Sequence, residues 1–195
     1  SPSRGLGDVY KRQWWDYGTA INDDRRTSLI VDPPTGTIPY TDAGRTRANR
    51  FFSVLFGNVA AGPEDRALAE RCILGFNSGP PMLPSAYNNN VQLFQTPDTV
   101  VILNEMVHNA RIIPLDGRPH LDPTIRQWTG DSRGRWEDDT LVVETTNFLG
   151  ETSFAASTSS LLLVERFTRA SDTVLILSLL HICRCRRSSL GRSRW

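Results

Sequence analysis

The stretch that decides the fold is Arg126–Phe148, which reads RQWTGDSRGRWEDDTLVVETTNF. Its second half, Leu141–Thr146, alternates with a period of two and is rich in Val and Thr, which is typical of a β-strand. Asp138 and Asp139 interrupt the pattern, and Asp tolerates the backbone angles of a tight turn. The stretch therefore predicts a β-hairpin at the middle of a sheet, with Arg133–Glu137 as its first strand.

The sequence also predicts the surroundings of two residues in that first strand. Gly134 predicts a bulge or a close backbone approach. Glycine weakens the interior of a strand, and it often marks a place where the strand bulges or another backbone comes close. Trp136 lies near the turn, where a large ring can cover a neighbouring strand. We expect Trp136 to pack in the core rather than to stack on a ligand.

Strands are predicted on both sides of this hairpin, separated by short turns such as Pro97-Asp98 and Asp116-Gly117. They are Val91–Thr96, Thr99–Val107, Ala110–Leu115, Leu161–Arg169 and a last strand that begins at Thr173. Such a sheet must close on itself or pack on another layer to bury its apolar face. The predicted fold class is mainly β: an antiparallel meander closing into a barrel or sandwich, with one or two short helices in the N-terminal half.

The N-terminal half is less regular. Thr41–Phe52 predicts a helix capped by Thr41, and Pro63–Ile73 predicts a second, short helix because Pro suits a first helical turn. We therefore divide the inner chain into an irregular N-terminal arm with short helices, residues 14–90, and an antiparallel β meander, residues 91–176. Together they suit a single domain.

Both ends of the chain look foreign to this domain. Asp8–Gln13 fits the codons GAT GTG TAT AAG AGA CAG, which resemble the transposase mosaic end of sequencing adapters. Leu177–Leu179 and His181-Ile182 fit its complement, CTG TCT CTT and CAC ATC. We predict that residues 1–13 and about 177–195 are translated adapter, and that the domain is truncated near position 176. The alternative is a genuine basic tail that acts as a nucleic-acid arm.

Setting the flanks aside changes the charge and the cysteine count. The 22 basic and 21 acidic residues become 14 and 20, because the flanks hold eight basic residues and one acidic residue, so the net charge moves from +1 to −6. An acidic segment argues against binding to a phosphate backbone.

Val174–Ile182 is too short to span a bilayer. Cys72 alone remains, which excludes a disulfide framework and a CxxC metal site, and we expect it to be buried.

Candidate ligand contacts first appear in Gly75–Asn90, a long irregular loop that reads GFNSGPPMLPSAYNNN. Such a loop in a compact domain is often functional. Tyr87 offers a ring and Asn89 offers an amide to a ligand. The alternative is that Asn side chains satisfy the loop's own backbone.

A polar cluster follows the third predicted strand. A His flanked by carboxylates can act as a general base, so the catalytic candidates are His120, Asp122 and Asp131. Further ligand-binding candidates are Arg118, Arg126 and Trp128. The spacing matches no zinc motif, and we expect neither a metal nor a cofactor. The alternative is an ion-pair network that pins an irregular connection.

Long motifs between positions 26 and 173 resemble a family of uncharacterised, often exported bacterial proteins. They are RTSLIVDPPTGTIP, GPPMLPSAYNNN, ARIIPLDGRPH, RQWTGDSRGRWEDDTLVVETTNF and LVERFTR. The resemblance implies a periplasmic or secreted, β-rich domain and no particular reaction. Members usually have Gly where this chain has Asp138, which leaves the turn type open.

Three functions are consistent with these features. The first is a small-molecule-binding β domain of an exported protein. The second is a hydrolase-like enzyme that uses His120 with a neighbouring carboxylate. The third is a structural or interaction domain. The sequence leaves enzymatic activity and oligomeric state open, and the expected partner is a small-molecule ligand rather than nucleic acid.

Overall fold

The structure is a computed structural model that describes residues 28–56, 60–150 and 157–183. Contacts divide the chain into two compact units. Unit 1 holds the residues up to Gln92 together with Leu103–Ala110, and unit 2 holds Leu93–Ile102 together with the residues from Arg111 onward. The predictions made for residues 1–27, for part of the loop at 151–156 and for residues 184–195 lie outside the described residues.

One α-helix lies in the described part of the N-terminal half: α1, Asp42–Phe56. The Gly44 backbone N–H donates to Thr41 Oγ1 at 3.2 Å, which confirms the predicted cap. Ala48 is buried on the helix. The helix continues four residues beyond the predicted end at Phe52.

The second predicted helix, Pro63–Ile73, is wrong beyond its first turn. Only Pro63–Asp65 is helical, as a short 3-10 turn, and Arg66 is already extended. The following residues form successive turns, and Cys72 has φ +54°, outside the right-handed helical region. Cys72 is exposed, so the prediction that it is buried was wrong.

The first sheet has three strands in the order β1-β2-β3: β1 is Val91–Gln95, β2 is Thr99–Asn104 and β3 is Ala110–Pro114. The predicted Pro97-Asp98 turn is present, and the Thr96 N–H donates across it to the Thr99 carbonyl at 2.8 Å. β2 ends earlier than predicted because Met106–His108 forms a 3-10 turn with Val107 at φ +51°.

The second sheet has four antiparallel strands in the order β4-β5-β6-β7. They are β4, Asp131–Glu137; β5, Thr140–Thr146; β6, Leu161–Arg169; and β7, Leu175–Cys183. The predicted central hairpin is confirmed, with Trp136 opposite Leu141 and Glu137 opposite Thr140. Asp138 in its turn has φ +51°, a conformation that favours Gly.

The chain is therefore mainly β, with two antiparallel sheets that follow the predicted meander. The described strands do not close into a barrel, so the barrel alternative finds no support. No helix in the described ranges combines the length and the apolar character needed to cross a membrane.

Within unit 2, the buried face of the second sheet carries the core. Alternate residues of β5 and β6 point into it, among them Val143, Leu163 and Phe167. Gly134 continues the ladder opposite Val143, so no bulge forms there. A Cβ at Gly134 would lie 2.8 Å from Ile113 Cγ2, which confirms the predicted close approach.

Trp136 does not pack in the core as expected: 48% of its surface is exposed. β4 is an edge strand, and Trp136 lies one residue from its end. The ring therefore has a neighbouring strand on one side only.

β7 crosses the boundary predicted at position 177. It pairs with β6 along its whole length, from Leu175 opposite Arg169 to Cys183 opposite Leu161. Several of its apolar side chains, including Ile176 and Leu180, remain exposed. The assignment of residues 177–195 to translated adapter stays a prediction.

Candidate functional site

The residues at the centre of the candidate site are His120 and Asp131, both of unit 2. His120 Nδ1 lies 2.8 Å from Asp131 Oδ2. The Asp131 side chain is 5% exposed and the His120 ring is 28% exposed. Because an ionised carboxylate only accepts hydrogen bonds, Nδ1 is the donor of this pair, and in a neutral imidazole Nε2 is then an acceptor.

Asp131 is held from two further directions. The Leu121 backbone N–H donates to Oδ2 at 3.0 Å, and Arg133 Nη1 donates to Oδ1 at 2.7 Å. Arg133 Nε also donates to the Pro119 carbonyl at 3.1 Å. Since Asp131 begins β4, these bonds attach the irregular connection that contains His120 to a strand of the sheet.

Two other side chains hold the same connection. Asn147 Nδ2 donates to the carbonyls of Leu121 and Asp122, each at 3.1 Å. Arg126 Nη1 donates to the carbonyls of Phe148 at 3.2 Å and Ser159 at 2.9 Å. Arg126, a predicted ligand contact, therefore binds the protein's own backbone.

The other predicted carboxylate, Asp122, does not bond to His120. Its Oδ1 accepts from the Thr124 backbone N–H at 2.9 Å and from Thr124 Oγ1 at 2.6 Å. These bonds lower the pKa of the Asp122 carboxyl below its ordinary value, the hydroxyl contributing most. The carboxylate stabilises a local turn on the exposed side of the connection.

Arg118 is likewise engaged locally. Its guanidinium binds Asp116 through two nitrogens, with Nε 2.7 Å from Oδ2. The pairing lowers the pKa of Asp116 and raises that of Arg118, the side-chain hydrogen bond being the main cause of both shifts. Arg118 therefore has an intramolecular partner at the place where a ligand contact was predicted.

Apolar side chains of this connection face outward. Leu121, Ile125 and Trp128 are all exposed, Trp128 by 36%. They lie within nine residues of His120 on a segment fixed at several points. The connection thus carries exposed apolar side chains and the imidazole on one segment whose backbone is fixed.

The predicted residues of the long loop belong to unit 1. Asn89 Oδ1 accepts from the Ser85 backbone N–H at 2.8 Å, and Asn89 Nδ2 donates to the Ser85 carbonyl at 2.7 Å. Asn77 Nδ2 lies within hydrogen-bond distance of Ser85 Oγ and the Tyr87 carbonyl. Tyr87 packs edge-on against Phe76, with ring centroids 5.7 Å apart. The Asn side chains therefore bond to the loop's own polar groups, while Asn77 Oδ1 is buried without a partner among the described residues.

A second polar cluster, missed by the sequence analysis, lies inside unit 2. Arg111 of β3 donates from Nε to Ser132 Oγ at 2.9 Å, and from Nη2 to Thr145 Oγ1 at 2.7 Å and Glu165 Oε2 at 2.5 Å. The Arg111 and Glu165 side chains are 4% and 0% exposed. We call these four residues the buried cluster.

Signals for some of the missed residues were present in the sequence. Glu165 shares its strand parity with Leu163 and Phe167, so a charge on the buried face required a partner. Arg133 lies two residues after Asp131, on the same face of β4. Nothing in the sequence distinguished Asn147, which follows β5 at φ +57°.

Acidic, His and Cys side chains are the usual metal ligands in proteins. The described ranges contain no group of three or more such side chains placed to hold an ion.

Comparisons with known proteins returned nothing. No family model matches the chain, and no curated protein or solved structure matches it either.

Proposed function

We propose that the chain is a small-molecule-binding β domain, and that the connection from Asp116 to Gly130 forms its binding surface. The observation that carries the proposal is the fixed His120 ring. Its Nδ1 is held by a buried carboxylate, while its Nε2 has no hydrogen-bond partner among the described residues. Ligand sites combine apolar side chains with a few placed polar groups, and this connection carries both kinds of group.

The scaffold that we propose for this surface is a small sandwich. Arg111 of β3 reaches Ser132, Thr145 and Glu165 on three successive strands of the second sheet. Gly134 lets β3 side chains approach that sheet closely. Such a scaffold would keep the connection rigid and so reduce the entropy lost on binding.

The ligand that fits this surface has an apolar body and one hydrogen-bond donor. Leu121, Ile125 and Trp128 offer apolar and aromatic area, and Nε2 of His120 offers an acceptor. The nearest charges, on Asp131 and Arg133, already neutralise each other. A small phenol or benzylic alcohol matches these requirements better than an anion does.

The full chain can be titrated with phenol, benzyl alcohol and toluene while the His120 ring and the Trp indole signals are followed by NMR. We expect saturable shifts at His120 and Trp128 with the two hydroxyl compounds and weaker binding of toluene. The His120→Gln variant should bind phenol about fivefold more weakly, because one hydrogen bond contributes about 1 kcal/mol.

Trp136 supplies the matched control, since it is also half-exposed in unit 2 but lies outside the connection. Shifts of equal size at Trp128 and Trp136, or shifts that never saturate, would mean that the probes adsorb without a site.

A hydrolase-like activity is the second candidate, and the hydrogen bond between His120 and Asp131 favours it. A carboxylate on Nδ1 fixes the tautomer that leaves Nε2 able to take a proton from water. Hydrolysis of p-nitrophenyl acetate by the full chain should then fall strongly in His120→Ala. A rate that His120→Ala leaves unchanged rules this candidate out.

Membership of the exported bacterial family and a periplasmic or secreted location belong to the same proposal. They are supported by the shared motifs alone. Locating the product of the intact gene in a bacterial fractionation would test both.

A further inference from the structure

The buried cluster contains two polar atoms that the described chain leaves without a hydrogen-bond partner. They are Arg111 Nη1 and Glu165 Oε1. They belong to the two groups that form the ion pair, since Arg111 Nη2 donates to Glu165 Oε2. Buried polar groups are rarely left unpaired, because each one costs about 1–3 kcal/mol.

The unused donors and acceptors of the cluster define the kind of molecule that would complete its hydrogen bonding. Arg111 uses Nε and both hydrogens of Nη2, which leaves two hydrogens on Nη1. Ser132 Oγ and Thr145 Oγ1 lie 3.0 Å apart, so one hydroxyl donates to the other. Glu165 Oε1 remains as an acceptor. The complement is a molecule that accepts from a guanidinium and donates to a carboxylate.

The surroundings limit the charge and the size of that molecule. Arg111 and Glu165 neutralise each other, so an ion would bring a net charge into the interior, where charge is costly. Val143, the cross-strand partner of Glu165, and Leu163 are fully buried. Gly134 marks a very close approach of β3 to β4. A neutral molecule of one heavy atom satisfies these limits.

We propose that the buried cluster is a binding site for a single water molecule, held between Arg111 Nη1 and Glu165 Oε1. The water accepts from the guanidinium and donates to the carboxylate, and so completes the hydrogen bonding of the ion pair. A buried water with two to four polar partners is part of the structure and is costly to remove. The site is independent of the surface around His120.

The direct test is a water-selective ROESY experiment on the full chain, read at the Val143 methyl protons, which do not exchange with solvent. A cross-peak between water and these methyls is expected, because directly opposed Cβ atoms lie roughly 5 Å apart in a sheet. Its absence overturns the proposal.

A second test measures long-lived water by ¹⁷O relaxation dispersion. The double variant R111M/E165L removes both unpaired atoms and replaces the pair by apolar side chains of similar size. It should lose the dispersion amplitude of one long-lived water. The matched control R135M/E144L, an exposed pair of the same sheet, should lose none.

Equal dispersion in R111M/E165L and the parent chain overturns the proposal. If R111M/E165L does not fold, the ROESY result on the unmodified chain decides alone.

Discussion

The two faces of the second sheet carry ion pairs of the same chemistry in opposite surroundings. On the inner face, Arg111 and Glu165 form one pair that is almost completely buried. On the outer face, Arg135 Nη1 lies 2.8 Å from Glu144 Oε1, and both side chains are more than one-third exposed. The distances are similar, so the difference between the two pairs lies in their hydration.

That difference decides what each pair does for the fold. A buried charge whose partner is removed stays in the interior without water, whereas an exposed charge is simply rehydrated. Removing one partner of the inner pair should therefore lower the stability of the fold strongly. Replacing both partners together should change the stability little. On that outer face Val142 is fully buried, and its cross-strand partners are Arg135 and Arg166.

The largest effect is expected for Glu165→Leu, which leaves Arg111 charged and unpaired inside unit 2. Breaking a buried pair in this way costs about 3–5 kcal/mol of unfolding free energy. The R111M/E165L double variant should recover most of the loss, as measured by urea denaturation. A double variant as unstable as Glu165→Leu would show that the pair contributes more than mutual neutralisation.

The next effect concerns Gly134, whose added Cβ would lie 2.6 Å from Leu115 Cδ2. Gly134→Ala should cost about 1–3 kcal/mol, because the inner face must shift to admit the methyl group. Arg135→Ala, at the next position but on the outer face, serves as the control. Equal losses in the two variants would mean that backbone propensity, not inner-face packing, sets the cost.

A smaller effect is expected when Arg135→Met removes the outer pair with Glu144 together with the exposed pair that Arg135 forms with Glu137. Exposed pairs contribute less than about 1 kcal/mol, and salt screens them. The stability difference between Arg135→Met and the parent should shrink as the salt concentration rises. A loss of stability that salt does not change would mean that this pair behaves like the buried inner pair.

The smallest effect is a change in titration. Arg166 and then Arg135 donate to Glu137 and lower the pKa of its carboxyl below the ordinary value of about 4.5. The contribution of Glu137 to stability is therefore present above that ordinary value and is lost as the pH falls through the lowered one. Arg166→Met should raise the pKa of Glu137 in a carboxyl-detected NMR titration, and an unchanged value would contradict the assignment.

Local sequence patterns were sufficient to predict most of the second sheet. The Leu161–Arg169 strand was predicted with its observed bounds, and the hairpin turn lies at Asp138 and Asp139 as expected. Alternation and turn residues act over a few positions, so a single sequence displays them. The helix predicted beyond Asp65 failed although Ala67–Arg71 are good helix formers, because propensity is a weak determinant of structure and the chain turns there instead.

The site was less predictable because its contacts are long-range. The pairing of His120 with Asp131 spans 11 residues, and that of Arg111 with Glu165 spans 54. The sequence supplied His120 and Asp131 as candidates but gave no reason to prefer Asp131 over Asp122. Only the start of β4 at Asp131, two residues earlier than predicted, brings that carboxylate beneath the connection.

The position of Asp131 has a practical consequence for anyone who wants a binding-deficient but intact protein. The same carboxylate that orients the imidazole also fastens the connection to the sheet through Leu121 and Arg133. A change at Asp131 would confound recognition with folding, because it removes the bonds to His120, Leu121 and Arg133 together. His120→Gln removes one of those three bonds and leaves the connection attached through the other two.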